Sequence, residues 1–254
     1  LVPSGTEVKV SNATKEGGLY KLTVVIGSGD SAQEYTSYMS LDGRFFFPSS
    51  LDLENLPEPS TEKPQPPAFD APDTEVPVVK FFVMSFCPFG QQAEKGLKPV
   101  HELLGDKIVL EPHYVIYENY GGGGPDYCIE EGKYCSMHGI NELREDIRQL
   151  CIYKYYDSDT FWDYLEYVWT NCKLSNIEDC WKEAANENGI DVKKVESCFD
   201  AEGVDLIKAE KDACDEYGVR GSPTVFINDE EYHGGRAPDQ YKEAVCTGFT
   251  ELPD

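Results

Sequence analysis

The chain has 254 residues with 47 acidic and 22 basic side chains, a formal charge of −25, and an apolar content of 40%. That length fits one large or two modest domains with a real core, and 12% aromatics set the chain apart from disordered sequences. A surface this negative repels phosphate backbones and anionic lipid, so nucleic acid is excluded as a partner and adsorption to a membrane surface is disfavoured.

Residues 1–53 read as a small β domain. Val8 and Val10 alternate with polar residues, Leu22, Val24 and Ile26 repeat that period after Gly17-Gly18, and Tyr35 to Ser40 runs into Asp42-Gly43, a hairpin dipeptide. Arg44 to Phe47 follows as a return strand closed by Pro48. An edge strand of such a unit could pair chains, which makes it a candidate module for homo-oligomeric assembly. Asn12-Ala13-Thr14 is a glycosylation sequon, with Asn12 the acceptor. The chain begins at Leu1 with neither Met nor a basic-then-apolar leader, which reads as a mature or trimmed chain. Residues 54–77 change composition abruptly: Pro57, Pro59, Pro64, Pro66, Pro67, Pro72 and Pro77 lie among acidic and polar residues, the pattern of a stiff linker.

A second domain is expected over 78–254. It opens with the apolar run Val78 to Met84, as a strand buried on both faces would. Cys87-Pro88-Phe89-Gly90 follows, then a helix to about Leu104 and a second buried strand over Lys107 to Tyr117, a β–α–β unit. No run approaches the roughly 18 apolar residues of a membrane span. From about 118 to 217 no strand is expected. Gly121 to Gly124 read as a flexible loop, and apolar residues then recur at helical spacing, as in Ile140, Leu143, Ile147 and Leu150. Thr160-x-x-Asp163 and Ser175-x-x-Glu178 read as capping-box helix starts, and Asn188-Gly189 as a stop. The chain returns to sheet at Thr224 to Ile227, turns at Asn228-Asp229, pairs back through Tyr232 and ends in a helix from Pro238 to about Gly248. The whole is α/β: βαβ, a helical insert of about a hundred residues, then ββα.

Cys87 stands where a buried strand gives way to a helix, facing the unpaired N–H groups of the first turn. Those donors and the helix dipole favour a thiolate over a thiol and make the sulfur a better nucleophile. Pro88 suits the first helical position. Pro223, in Gly221-Ser222-Pro223-Thr224, leads directly into a strand, where a proline can hold a cis peptide in a tight turn. Together, Cys-Pro at a helix start, Gly-Ser-Pro-Thr before a strand and the closing ββα resemble a thioredoxin-like fold of DsbA type, with a large helical insertion. The resemblance covers about 76–250. It implies that Pro223 is a cis-proline packed against Cys87, and that the Ser222 backbone offers strand-like hydrogen bonds to a cysteine-containing peptide or redox partner. The family's redox motif is Cys-x-x-Cys, and Gly90 stands at its second cysteine. A lone thiol can form a mixed disulfide but cannot resolve it unaided.

The chain has nine cysteines. Cys128, Cys135, Cys151, Cys172, Cys180, Cys198, Cys214 and Cys246 form an even set expected to close four bridges, with Cys87 left as the odd thiol. Cys128 with Cys135 and Cys172 with Cys180 are close enough to close short loops, and the other pairings stay open. Cys135, His138, Gly139, Glu142 and Cys151 resemble the signature of the interferon-inducible lysosomal thiol reductases, with Asp146 where that family has Asn. Cys172, Cys180, Gly189 to Val195 and Cys198 resemble the luminal domain of plant vacuolar sorting receptors, which implies cargo binding instead of redox chemistry. His138 reads as structural, at the mouth of the helix from Gly139. Cys135 and His138 have no second ligand pair, so no metal and no cofactor is expected. The tyrosines and tryptophans from Tyr153 to Trp169 read as the core of a helical hairpin. Two functions follow for an extracytoplasmic chain. One is thiol–disulfide exchange through Cys87, with Pro88, Phe89, Gly90, Ser222 and Pro223 shaping the site. The other is a non-enzymatic binding or assembly subunit that retains the fold.

Overall fold

A computed structural model describes residues 8–27, 33–48 and 69–253. Packing divides the chain into two units, Leu1–Gln65 and Pro66–Asp254. In the first, β1 (Val8–Glu16), β2 (Leu19–Ile26), β3 (Gln33–Ser40) and β4 (Phe46–Phe47) pair in that order as an antiparallel sheet. Gly17 and Gly18 turn β1 into β2 at φ of 58° and 81°, which glycine adopts without steric cost. Val10 pairs with Val24 and Val24 with Tyr35, so their side chains share one face. Leu22 and Val24 are buried there, whereas Val8, Val10 and Phe45 to Phe47 are exposed. Asn12 lies on the exposed β1.

The second unit is built on a four-stranded sheet in the order β10-β9-β5-β6. β5 (Val78–Val83) is central, parallel to β6 (Val109–Tyr114) and antiparallel to β9 (Thr224–Ile227), and β10 (Glu230–Tyr232) pairs back onto β9. Val79, Phe81, Phe82 and Val83 have no exposed surface, the reason this strand reads as a continuous apolar run. α1 (Pro88–Leu104) makes the crossover to β6, and α6 (Pro238–Thr247) packs beside α1. Gly96 permits that approach, since a Cβ there would stand 2.3 Å from the Arg236 carbonyl oxygen. Val79, Phe81, Val83, Val225 and Ile227 join the large core with Tyr241, Ala244 and Val245 of α6. Phe82, Met84 and Phe226 point the other way, into a smaller cluster with Cys87, Val115, Cys214 and Val219. This is a thioredoxin-like α/β fold with a disulfide-bonded helical insertion, preceded by a small β-sheet unit.

Residues 69–77, assigned by composition to the linker, pack onto this second unit. Ala71 is buried and its N–H donates to Thr247 Oγ1 at 3.1 Å, and Thr74 bridges to Phe249. The remainder of that linker lies outside the described residues. The strand expected over Lys107 to Tyr117 is shorter: a 3-10 turn takes Gly105–Lys107, and Tyr117 leaves the sheet to exchange backbone bonds with Cys135.

The insert carries α2 (Ile140–Tyr155), α3 (Ser158–Asn171), α4 (Ile177–Glu187) and α5 (Val192–Glu216). It also contains a short strand pair that the sequence does not announce, β7 (Cys128–Ile129) with β8 (Tyr134–Cys135), clipped by the Cys128–Cys135 disulfide. α3 starts two residues before Thr160 because Asp157 is its cap, accepting the Thr160 N–H at 2.8 Å. α4 starts after Asn176, with no side-chain cap from Ser175. Phe161, Trp162, Tyr164 and Val168 of α3 fill the core, and Trp162 stacks on Phe81 of the sheet. Cys151–Cys198 ties α2 to α5, and Cys172–Cys180 closes the α3–α4 connection.

The expected fourth bridge does not form: Cys214 and Cys246 are free, as is Cys87. The strand alternation explains this, because Cys214 packs on the Phe82–Phe226 face while α6, which carries Cys246, packs on the opposite face of the same sheet.

Candidate functional site

β5 ends at Val83, and Met84, Ser85 and Phe86 carry the chain over the end of the sheet into α1. Cys87 is the N-cap residue, in extended conformation with no side-chain capping bond, and Pro88 takes the first helical turn. This cap residue stands beside first-turn N–H groups that have no intrahelical partner. Cys87 is 7% exposed, and its S–H donates to the Ser222 carbonyl oxygen at 3.6 Å. The Ser222–Pro223 peptide is cis. Thus the chain brings Cys87, Ser222 and Pro223 together from positions more than a hundred residues apart.

Gly90 completes the arrangement in a way that spacing alone does not disclose. A Cβ on Gly90 would stand 2.6 Å from Ser222 Oγ and 3.1 Å from the Met84 carbonyl oxygen. That hydroxyl is held in place, accepting the Met84 N–H at 3.0 Å. The serine oxygen therefore fills the space into which the side chain of a second cysteine would have to enter. Phe89 lies on the rim, 61% exposed, with the Arg236 guanidinium 5.2 Å from its ring. Across the site, Tyr117 Oη donates to the Arg220 carbonyl oxygen at 3.1 Å and braces the turn leading to Pro223.

A second free thiol shares the cluster beneath the site. Cys214 donates its S–H to the Tyr114 carbonyl oxygen at 3.3 Å, and burial pushes this thiol up to about 11. The bridged cysteines lie in the insert, Asn12 lies on the first unit, and half-buried Cys246 sits on α6.

Sequence spacing missed the groups that hold the Cys87 turn from below. The Phe86 N–H donates to Glu142 Oε1 at 2.8 Å and the Ser85 N–H to Asp146 Oδ1 at 3.2 Å. In the sequence Glu142 and Asp146 are two acids one turn apart on α2, with nothing to mark what they hold. His138 Nδ1 lies 2.9 Å from the Glu142 carboxylate, and that bond raises the imidazole above its ordinary range. Among the described residues no three His, Cys, Asp or Glu side chains converge to hold a metal ion, and no helix is long and apolar enough to cross a membrane.

Residues 95–246 match the family model described as the vacuolar sorting receptor thioredoxin-like domain. Cys87 and Gly90 precede the matched stretch, whereas Glu142, Ser222, Pro223 and the bridged cysteines fall inside it. The chain is 29% identical to vacuolar-sorting receptor 4 of Arabidopsis thaliana over 197 residues, covering 65% of this chain and 31% of that protein. It is 28% identical to vacuolar-sorting receptor 1 of Pisum sativum over 152 residues, covering 50% and 24% respectively. The chain thus spans less than a third of the length of either receptor. Among solved structures, oxidised BdbD from Bacillus subtilis superimposes with a TM-score of 0.48 at 14% identity, covering 69% of this chain and 88% of that one. The thiol–disulfide exchange protein alpha-DsbA2 from Wolbachia pipientis gives a TM-score of 0.49 at 14% identity, covering 69% and 83%.

Proposed function

The chain belongs to the family of the vacuolar sorting receptor thioredoxin-like domain, and from that membership we propose that it is a polypeptide-binding module that holds cysteine-containing clients through a mixed disulfide at Cys87. Three disulfides and the family point to an extracytoplasmic or lumenal compartment. The observation that carries the proposal is the filled space at Gly90. Cys87 stands at a helix N-terminus against the Ser222–Pro223 turn, with the Ser222 hydroxyl where a resolving cysteine would enter.

The step is thiol–disulfide exchange. The Cys87 thiolate attacks one sulfur of a client disulfide, a Cys87–client S–S bond forms, the client S–S bond breaks, and the departing client thiolate takes up a proton. The Cys87 sulfur is oxidised to the disulfide level and the departing client sulfur is reduced to a thiol, so the number of disulfides is unchanged. With glycine at position 90, release falls to an external thiol, so the covalent complex is long-lived. The backbone at Gly221 and Ser222 would align an extended client segment by strand-like hydrogen bonding.

A second reading, a purely non-covalent binder, draws on the low exposure of Cys87. The two separate with a synthetic peptide whose cysteine carries a thionitrobenzoate disulfide. Mixed-disulfide capture predicts release of one equivalent of thionitrobenzoate and a peptide adduct that maps to Cys87 and is absent from Cys87→Ser. Peptide affinity that survives Cys87→Ser, with no adduct on the unmodified protein, would establish the non-covalent reading instead.

A further inference from the structure

The turn that presents Cys87 is anchored from the insert. Ser85 and Phe86 lie past the end of β5, where their N–H groups have no strand partner, and both are buried or half-buried. Their donors are taken up by α2. Asp146 Oδ1 accepts both the Ser85 N–H and the Ser85 hydroxyl, while Glu142 Oε1 accepts the Phe86 N–H. Gln91 Nε2, from the first turns of α1, donates to the Ser85 carbonyl oxygen at 2.7 Å. Both N–H groups, the Ser85 hydroxyl and the Ser85 carbonyl are therefore tied either to α2 or to α1.

The α2 carboxylates are themselves fixed. Neither Glu142 nor Asp146 has any exposed surface. Glu142 Oε2 accepts from the Ser136 hydroxyl and from the His138 N–H at 3.3 Å, and the His138 ring closes on it at 2.9 Å. Ser136 directly follows the Cys128–Cys135 clip, and Cys151–Cys198 bolts the same helix to α5. α5 leads in turn to the Ser222–Pro223 side of the site. Two buried carboxyl groups one turn apart are a costly way to hold a helix that Leu143 and Ile147 already seat in the core. They are well suited to holding a turn whose N–H groups have nowhere else to go.

We infer that Glu142 and Asp146 are positioning residues for Cys87, setting the angle at which its sulfur meets a client lying against Ser222 and Pro223. The inference rests on the mixed-disulfide reading. Burial, with Glu142 beside it, pushes the Asp146 carboxyl well up, and toward Ser85 its Oδ1 serves purely as an acceptor. Asparagine supplies the same acceptor at the same length.

The test compares two rates in each variant, exchange with the thionitrobenzoate-bearing peptide and alkylation of Cys87 by iodoacetamide. The first needs the sulfur aimed at the peptide site, whereas the second does not. Glu142→Ala and Asp146→Ala should slow peptide exchange by about tenfold or more while alkylation holds or rises, and Asp146→Asn should stay within about twofold of the unmodified protein. Leu143→Ala loosens the same helix without touching the turn. If it slows exchange as much as Glu142→Ala does, at an equal loss of melting temperature, or if Asp146→Asn behaves like Asp146→Ala, the inference is overturned. Where Glu142→Ala does not fold, the pair Asp146→Ala and Asp146→Asn decides the matter against the same Leu143→Ala control. If the unmodified protein exchanges with no peptide, the mixed-disulfide reading falls. Positioning is then decided by the Cβ chemical shift of Cys87, which should move in Asp146→Ala and stay put in Leu143→Ala.

Discussion

Cys87 and Cys214 share one apolar cluster, with Phe82, Val115 and Phe226 between and around them, and both are buried. The difference lies in the helix end at which each is placed. Cys87 opens α1 and lies against the Ser222–Pro223 turn, beside an exposed rim at Phe89. Cys214 falls in the last turn of α5, donates to the Tyr114 carbonyl oxygen, and is pushed up to about 11 by its burial. A helix N-terminus offers N–H donors to a sulfur anion, whereas a C-terminus offers carbonyl oxygens that repel one. Both sulfurs donate to a carbonyl oxygen, so what sets Cys87 apart is its place at a helix start beside the exposed Phe89 rim.

The sharpest way to break that comparison is to remove each sulfur in turn. Cys87→Ser should abolish adduct formation with the thionitrobenzoate-bearing peptide, and Cys214→Ser should leave its rate within about twofold, since a thiol this far above neutrality contributes almost no thiolate at pH 7. An adduct mapped to Cys214 by peptide mass would reverse the assignment. A next-largest effect concerns burial without helix-end compensation, at Glu94 on α1. This side chain is 1% exposed, and burial pushes its carboxyl up to about 8 despite the Trp169 indole N–H that donates to it at 2.8 Å. Because the folded state holds this proton more tightly than the unfolded chain, the contribution is full below the ordinary value of 4.5 and falls as pH rises to about 8. The loss by pH 8 is on the order of 4 kcal/mol. Glu94→Gln mimics the protonated acid, so urea titrations should show it matching the wild type at pH 4.5 and exceeding it at pH 8; parallel curves for the two would show that burial has no such effect here.

The sheet and its thiol were legible because burial on both faces writes itself as an uninterrupted apolar run, and Val78 to Met84 is one. Cys87-Pro88 at its end and Pro223 before Thr224 mark the two halves of the site by local rules, a helix start and a strand start. What stayed hidden depends on which face a residue takes. An even cysteine count suggests four bridges only if every thiol can reach another, and the sheet separates Cys214 from Cys246. Likewise Asp157 won the α3 cap from Thr160 because both are capping residues and only the chain's entry angle chooses between them. The Glu142 and Asp146 anchors were invisible for a further reason. The donors they satisfy belong to Ser85 and Phe86, more than fifty residues earlier, and backbone N–H groups leave no trace in a sequence.

The smallest predicted effect tests whether the single-thiol state of the site is a matter of one missing sulfur or of the packing around it. If only the sulfur is missing, Gly90→Cys should restore a dithiol in which the introduced thiol oxidises readily to a bridge with Cys87. The packing opposes this, since the new Cβ would press on Ser222 Oγ at 2.6 Å, and that oxygen can move only by giving up the Met84 N–H. Ser222→Ala removes the oxygen and leaves the backbone that faces Cys87. The double variant Gly90→Cys/Ser222→Ala should therefore hold more of the intramolecular disulfide than Gly90→Cys alone in the same glutathione buffer, by about fivefold in the equilibrium constant, or about 1 kcal/mol, the scale of one hydrogen bond. Mass analysis after acid quenching reads the ratio. Equal oxidation in the two variants would mean that Ser222 yields freely, and that glycine at position 90 is the whole of the difference between this thiol and a dithiol site.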